Sequence, residues 1–156
     1  MSIKRRTLLQ ALAMGAVAGI AGCIAGGSDT EACRELSAEP NYKGWFDGVD
    51  NYHGTCDARG RDSVNVRVGT KANDAYWGYD PAAVAIAPGT TVRWEWTGKG
   101  GAHDVVSEMG TFASGKPTDD AGTTFEHTFD EPGVYRYYCT PHRSMDMKGA
   151  VFVALD

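Results

Sequence analysis

A short stretch near the carboxyl end of the chain combines three side-chain types that bind soft metal ions. Cys139 is followed by His142 after two residues and by Met147 after seven, and a second imidazole, His103, follows the glycine-rich segment 98–101. One thiolate, two imidazoles and one thioether are the donors of electron-transferring copper, whereas structural zinc sites use four Cys or His ligands. The sequence therefore predicts one copper site, whose ion cycles between Cu(I) and Cu(II).

Met145 is a second candidate for the thioether ligand. Two residues separate it from His142, and four separate Met147 from the same histidine; the spacing alone does not decide between them. The remaining histidines, His53 and His127, are interpreted as a solvated side chain in a polar segment and as a structural strand residue.

The elements that must position these ligands alternate apolar and polar residues, which is typical of β-strands. The residues predicted to share strand faces are Val64, Val66, Val68, Val84, Ile86, Val92, Trp94, Trp96, Phe125, His127, Phe129, Val151, Val153 and Leu155. Six or more short strands between turns predict an all-β sandwich or barrel. Cys139 then ends one strand and Met147 begins the next, so the loop between them carries all three of its ligands to one point.

The N-terminal residues 1–22 have the plan of a secretory signal. A basic start that includes Arg5 and Arg6 precedes the uncharged apolar run 8–21, which is shorter than the roughly 20 residues needed to cross a bilayer. The arginine pair resembles a twin-arginine export signal. A permanent transmembrane helix is the alternative.

The segment 20–23, Ile-Ala-Gly-Cys, resembles a lipobox, which predicts that Cys23 becomes the acylated N-terminus and anchors the protein to a membrane. Alternatively, Cys23 is a small apolar residue that is discarded with the signal. The polar segment 23–40 is interpreted as a flexible tether, residues 41–62 as an N-terminal arm packed on the sandwich, and residues 63–156 as the copper-binding domain.

The cysteine count is consistent with export to an oxidising compartment. With Cys23 assigned to lipid and Cys139 to the metal, Cys33 and Cys56 remain, and we expect them to form a disulfide that ties the arm to the domain. Residues 23–156 contain 12 basic and 20 acidic side chains, a formal net charge of −8, which argues against a nucleic-acid partner.

The part of the chain from Ser63 to Asp156 resembles the blue copper proteins of the plastocyanin, pseudoazurin and amicyanin group, and most closely the halocyanins. The most specific matching segments are 94–97, 131–139 and 147–149, and the arm segment 45–52 also resembles the halocyanin N-terminal segment. The resemblance implies a cupredoxin fold, a Greek-key β-sandwich or barrel.

The same resemblance implies a ligand set. His103, Cys139 and His142 would be the equatorial ligands and Met147 the axial one, because the ligand Met of the family is likewise followed by Lys-Gly and the closing strand. Where these proteins usually have Asn after the first His, this chain has Asp104.

The Asn of the family fastens the two ligand loops together. We expect Asp104 to accept a hydrogen bond from the Thr140 hydroxyl instead. A carboxylate at this position also favours Cu(II) and lowers the reduction potential.

The function implied is that of a monomeric one-electron carrier, not an enzyme, at the outer face of the cell membrane. Membrane respiratory or other redox proteins would dock transiently near His142, since weak redox encounters use small interfaces. The alternatives are a copper carrier or chaperone, whose sites tend to be open and rich in Met or Cys, and a copper-enzyme domain. With His103 and His142 used, only His53 and His127 remain, too few for a catalytic copper held by three histidines.

Overall fold

The computed structural model describes residues 33–155. The predicted signal, the predicted anchor at Cys23 and residues 23–32 of the predicted tether lie outside this range. The elements are β1 (Cys56–Asp57), β2 (Ser63–Ala72), β3 (Ala75–Asp80), β4 (Ala83–Ile86), β5 (Thr90–Trp96), β6 (Val106–Ser107), β7 (Thr124–Phe129), β8 (Gly133–Tyr138), the 3-10 helix η1 (Arg143–Met145) and β9 (Lys148–Val153). Among the described residues, no helix has the length and apolar character required to span a bilayer.

The strands form two sheets. One has the order β1-β4-β9-β8-β6 and the other β3-β2-β5-β7. Strands β1, β4 and β9 pair in parallel, as do β2 and β5, whereas β8–β9, β2–β3, β5–β7 and β6–β8 are antiparallel. The all-β class predicted from the alternation is confirmed.

The core lies between the sheets, on the face that the alternation predicted. Val66 pairs with Trp94 across the parallel strands β2 and β5, and both side chains are fully buried, whereas Arg93 and Glu95 beside Trp94 are exposed. Burial of each such apolar side chain stabilises the fold by about 1.5–3 kcal/mol. Leu155 was predicted to share a strand face with Val151 and Val153, but it follows the end of β9 and is 72% exposed.

The predicted arm packs on the outside of the β4–β9 pair. Its buried residues Tyr42, Trp45, Phe46 and Val49 form a second apolar cluster with Ala82, Ala83 and Ala150. The indole nitrogen of Trp45 donates a buried hydrogen bond of 2.9 Å to the carbonyl of Gly149. Strand β1 also lies within the predicted arm, so the boundary expected after residue 62 does not separate the arm from the sheet.

A disulfide and hydrogen bonds fix the chain before the arm. Cys33 and Cys56 are bonded, with Cα atoms 5.2 Å apart, and the amide of Leu36 donates to the carbonyl of Thr55 over 2.8 Å. The Glu39 carboxylate accepts hydrogen bonds from the amide and the hydroxyl of Thr55, at 2.8 and 2.6 Å. The described part of the predicted flexible tether is therefore attached to the arm, through a disulfide, a carboxylate and backbone groups that leave no apolar pattern in the sequence.

Candidate metal centre

Three potential ligand atoms converge at one end of the sandwich. The Nδ1 atoms of His103 and His142 are 3.1 Å apart, and the Sγ atom of Cys139 lies 3.6 Å from the first and 3.5 Å from the second. A circle through the three atoms has a radius of about 2.0 Å, close to metal–ligand bond lengths of about 2.0–2.3 Å in proteins. The three atoms can therefore bind one ion lying between them.

The ligand loop is held by its own backbone. The carbonyl of His142 accepts hydrogen bonds from the amides of Met145 and Met147, at 3.0 and 3.2 Å, and the amide of Cys139 donates to the carbonyl of Met147 over 3.1 Å. Asp146 has a left-handed conformation, with φ of 59°, which ends η1 and returns the chain to β9. This turn brings Met147 back beside Cys139.

The two methionines have different surroundings. Met147 is fully buried in the same apolar cluster as Cys139, whereas Met145 lies half-buried in η1 and its sulfur accepts a hydrogen bond of 3.0 Å from the Ser144 hydroxyl. Burial beside the thiol favours Met147 as the thioether donor.

The orientation of His103 is fixed by the loop that precedes it. Its Nε2 lies 2.6 Å from the carbonyl of Lys99; because a carbonyl can only accept, Nε2 carries the proton and Nδ1 keeps its lone pair for a metal. A Cβ atom on Gly69 or Gly100, both at positive φ, would lie 3.2 or 3.0 Å from Nε2. The imidazole therefore occupies a space that these two glycines leave open.

The imidazole of His142 is the more exposed of the two and is covered by a residue that the sequence analysis did not identify. The indole of Trp77, on β3, stacks on His142 with ring centroids 5.2 Å apart. Its Nε1 donates a hydrogen bond of 3.2 Å to the carbonyl of Gly100. No motif or spacing in the sequence indicated this contact.

Asp104 joins the two ligand loops, but not through the group expected. Its Oδ1 accepts a hydrogen bond of 2.6 Å from the backbone amide of Thr140, not from the hydroxyl, and the carboxylate is on a residue only 3% exposed. The Thr140 amide directly follows Cys139 and needs a hydrogen-bond acceptor in the folded protein. The hydroxyl of the exposed Thr140 can instead bond to water. The Asp104 carbonyl also accepts a hydrogen bond of 2.6 Å from the Tyr79 hydroxyl.

Burial disfavours charge on the converging groups. It raises the pKa of the Cys139 thiol to about 12 and lowers the pKa of His103. Burial, and then the neighbouring His103, lower the pKa of His142. Both imidazoles are therefore neutral at pH 7, and the thiol is protonated unless a cation takes the place of its proton.

The other histidines lie away from this centre. His53 is exposed, and His127 packs against Phe112 and Phe129, with ring centroids 5.0 and 4.7 Å apart. Both observations agree with the solvated and structural interpretations. Within residues 33–155, the sole group of three or more His, Cys, Asp or Glu side chains close enough to hold an ion is His103, Cys139 and His142.

Comparisons with known proteins point to a copper-binding family. Residues 64–154 match the family described as copper binding proteins, plastocyanin/azurin family. A halocyanin of Natronomonas pharaonis is 51% identical over 100 residues, which cover 62% of this chain and 60% of the halocyanin. A chloroplastic plastocyanin of Physcomitrium patens is 31% identical over 101 residues, which cover 59% of this chain and 58% of the plastocyanin.

A solved structure of a purple cupredoxin from Nitrosopumilus maritimus is 31% identical, with a TM-score of 0.46, and its match covers 58% of this chain and 99% of that chain. The chain spans less than two thirds of the length of the halocyanin and of the plastocyanin.

Proposed function

The chain belongs to the plastocyanin/azurin family of copper binding proteins, and on this premise we propose that it carries single electrons on one type 1 copper and catalyses no reaction of its own. The observation that carries the proposal is the convergence of two Nδ1 atoms and one buried thiol within 3.6 Å of one another. Type 1 copper requires this His2Cys set.

His103, Cys139, His142 and Met147 would hold the copper ion, with Met147 as the thioether donor. Copper bound there supplies a one-electron couple between Cu(II) and Cu(I). The imidazole nitrogens suit Cu(II), and the sulfur donors suit Cu(I). The protein contributes rigidity: the bond of His103 to Lys99, the amide bond of Asp104 and the backbone bonds of the ligand loop hold the donors in one arrangement. Little rearrangement then accompanies electron transfer.

Electrons would enter and leave through the imidazole of His142. His103 and Cys139 are buried, whereas His142 is partly exposed, between the exposed Pro141 and the half-buried Met145. This small apolar rim suits brief docking of a redox protein, because weak electron-transfer encounters use small interfaces. The proposed partners are membrane respiratory or other redox proteins.

The proposed location is the outer face of the cell membrane, with export through the twin-arginine-like signal and attachment through a lipid on Cys23. The disulfide between Cys33 and Cys56 supports an oxidising compartment. The −8 net charge of residues 23–156 suits a hydrated monomer and argues against a nucleic-acid partner.

Spectroelectrochemistry of the copper-loaded protein tests the function. An electron carrier bleaches and recovers its blue colour reversibly, with one electron per protein molecule and no consumption of oxygen or nitrite. A copper chaperone would instead lose its metal to an acceptor without a reversible couple. Catalytic turnover of oxygen or nitrite would identify an enzyme domain. Either of these results would overturn the proposal.

A further inference from the structure

The two-residue turn between β2 and β3 connects the N-terminal arm to the sandwich. Asn73 and Asp74 form this turn, both with positive φ, at 57° and 65°, which is the conformation of a type I′ hairpin turn. The amide of Asn73 donates to the carboxylate of Asp50 over 3.0 Å, and the amide of Asp50 donates to the Asn73 Oδ1 over 3.0 Å. The arm and the turn are therefore joined by a reciprocal pair of bonds.

The same Asn73 side chain bonds the backbone at two points of the metal centre. Its Nδ2 donates to the carbonyl of Asp146 over 3.1 Å and to the carbonyl of Trp77 over 3.3 Å. Asp146 directly precedes Met147, and Trp77 stacks on His142. The two N–H groups of the Asn73 side chain therefore bond the carbonyl that precedes Met147 and the backbone carbonyl of Trp77.

The segment that bears Met147 is held from the arm at a second point. The indole of Trp45 donates to the carbonyl of Gly149, two residues after Met147, while Asn73 bonds the residue before it. The arm therefore bonds the backbone after the thioether ligand directly, and it is linked to the backbone before that ligand through Asn73.

We propose that Asn73 is a positioning residue of the metal centre, through which the N-terminal arm sets the relative placement of Met147 and Trp77. This inference rests on the proposed copper function. A hydrogen-bonded amide with three partners is rigid, and its left-handed backbone prevents it from shifting along the turn. Loss of the side chain frees the Asp146 and Trp77 carbonyls, and Met147 and the indole on His142 are then no longer fixed relative to each other.

The test compares two glycine variants of one turn in the copper-loaded full chain. Asn73→Gly keeps the positive φ and the backbone amide that donates to the Asp50 carboxylate, but it removes the bonds to Asp146 and Trp77 and the bond that Oδ1 accepts from the Asp50 amide. Asp74→Gly alters the same turn at an exposed neighbouring residue and is the matched control. We expect Asn73→Gly to change the copper hyperfine splitting and the ratio of the visible absorption bands and to shift the reduction potential, whereas Asp74→Gly leaves all three as in the parent protein.

A second variant guards against a folding defect. Asn73→Asp keeps the shape of the side chain and tolerates the left-handed conformation, but it replaces the donating amide by an acceptor. It should therefore give a spectral change of the same kind. Asp50→Ala removes the carboxylate that accepts from the Asn73 amide. It should change the copper spectrum less than Asn73→Gly does, and the two effects should not add in the double variant, as expected for residues in one network.

Unchanged spectra and potential in folded Asn73→Gly and Asn73→Asp, with lower melting temperatures alone, would overturn the inference and reduce Asn73 to a stability role. A parent protein that gives a blue copper spectrum without a reversible couple would instead overturn the proposed electron carrier. The spectral comparison of the Asn73 variants would still decide the role of Asn73.

Discussion

The indole of Trp77 lies over the imidazole of His142, with ring planes inclined by only 21°. Through its Nε1 the same indole bonds the carbonyl of Gly100, three residues before His103. One side chain of β3 thus touches both loops that supply the imidazoles. It also covers the histidine through which electrons are proposed to pass.

Replacement of Trp77 should weaken copper binding. Stacked aromatic pairs contribute about 0.5–1.5 kcal/mol beyond area burial, so we expect Trp77→Ala to lower the copper affinity by about two- to tenfold. Competition with a chelator of known affinity measures this. Trp77→Phe retains a stacking ring without the Nε1 donor, so its copper affinity should fall less than that of Trp77→Ala. Equal affinities for the alanine variant and the parent would show that the stack does not restrain His142.

Asp104→Asn should raise the reduction potential. The buried carboxylate stabilises Cu(II) more than Cu(I) through its charge, and an asparagine retains the oxygen that accepts from the Thr140 amide. Voltammetry of the two proteins at one pH gives the comparison. The matched control is Glu108→Gln, which removes an exposed carboxylate paired with Arg136 and should leave the potential nearly unchanged. A potential that is unchanged or lower in Asp104→Asn would contradict this role of the carboxylate.

Much of the fold follows from local patterns that a sequence displays. Alternation identifies the buried faces of β2 and β5 because a strand turns successive side chains to opposite sides. The spacing of Cys139, His142 and Met147 likewise identifies the ligand loop, since these residues are neighbours along the chain. The halocyanin-type resemblance, and with it the copper cofactor, agrees with the family match.

The contacts that the sequence did not indicate join residues distant along the chain or pass through the backbone. Trp77 meets His142 across 65 positions of sequence, and neither residue type specifies the other. Thr140 bonds Asp104 through its amide, a group that every residue except proline has, so its side chain gave a misleading expectation. The attachment of Leu36 to Thr55 also uses backbone groups alone.

Removal of the disulfide should destabilise the protein without altering the metal centre. The bond closes a loop with a sequence separation of 23 residues, for which the chain-entropy model gives about 3 kcal/mol. Urea unfolding of metal-free Cys33→Ser/Cys56→Ala against the parent measures the free energy of unfolding. The copper-loaded variant should keep the parent spectrum. An unchanged unfolding free energy would mean that the backbone bonds of the 34–40 segment already restrain the arm fully.

The stability of the metal-free protein should fall in acid partly because of Asp57. The hydrogen bond from Arg59 lowers the pKa of this carboxyl to about 2, so its contribution is complete above the unfolded pKa of about 3.9 and is lost as the pH falls towards 2. The contribution is at most about 1 kcal/mol, because the ion pair is partly exposed. Urea unfolding at about pH 6 and about pH 2.5 measures how far the free energy of unfolding falls in acid, and this fall should be smaller for Asp57→Asn than for the parent. An equal fall in both proteins would contradict the contribution assigned to Asp57.

The central claim is that the Cys139 thiolate is a copper ligand beside His103 and His142. A copper titration followed by visible absorption and electron paramagnetic resonance tests it most directly, with Cys139→Ser compared against the parent and against Cys33→Ser/Cys56→Ala as a control for cysteine loss. The account predicts one copper per chain and an intense blue band in the parent and the control, and the loss of that band with a wider hyperfine splitting in Cys139→Ser. A Cys139→Ser protein that keeps the colour, the narrow splitting and the copper affinity of the parent would contradict it.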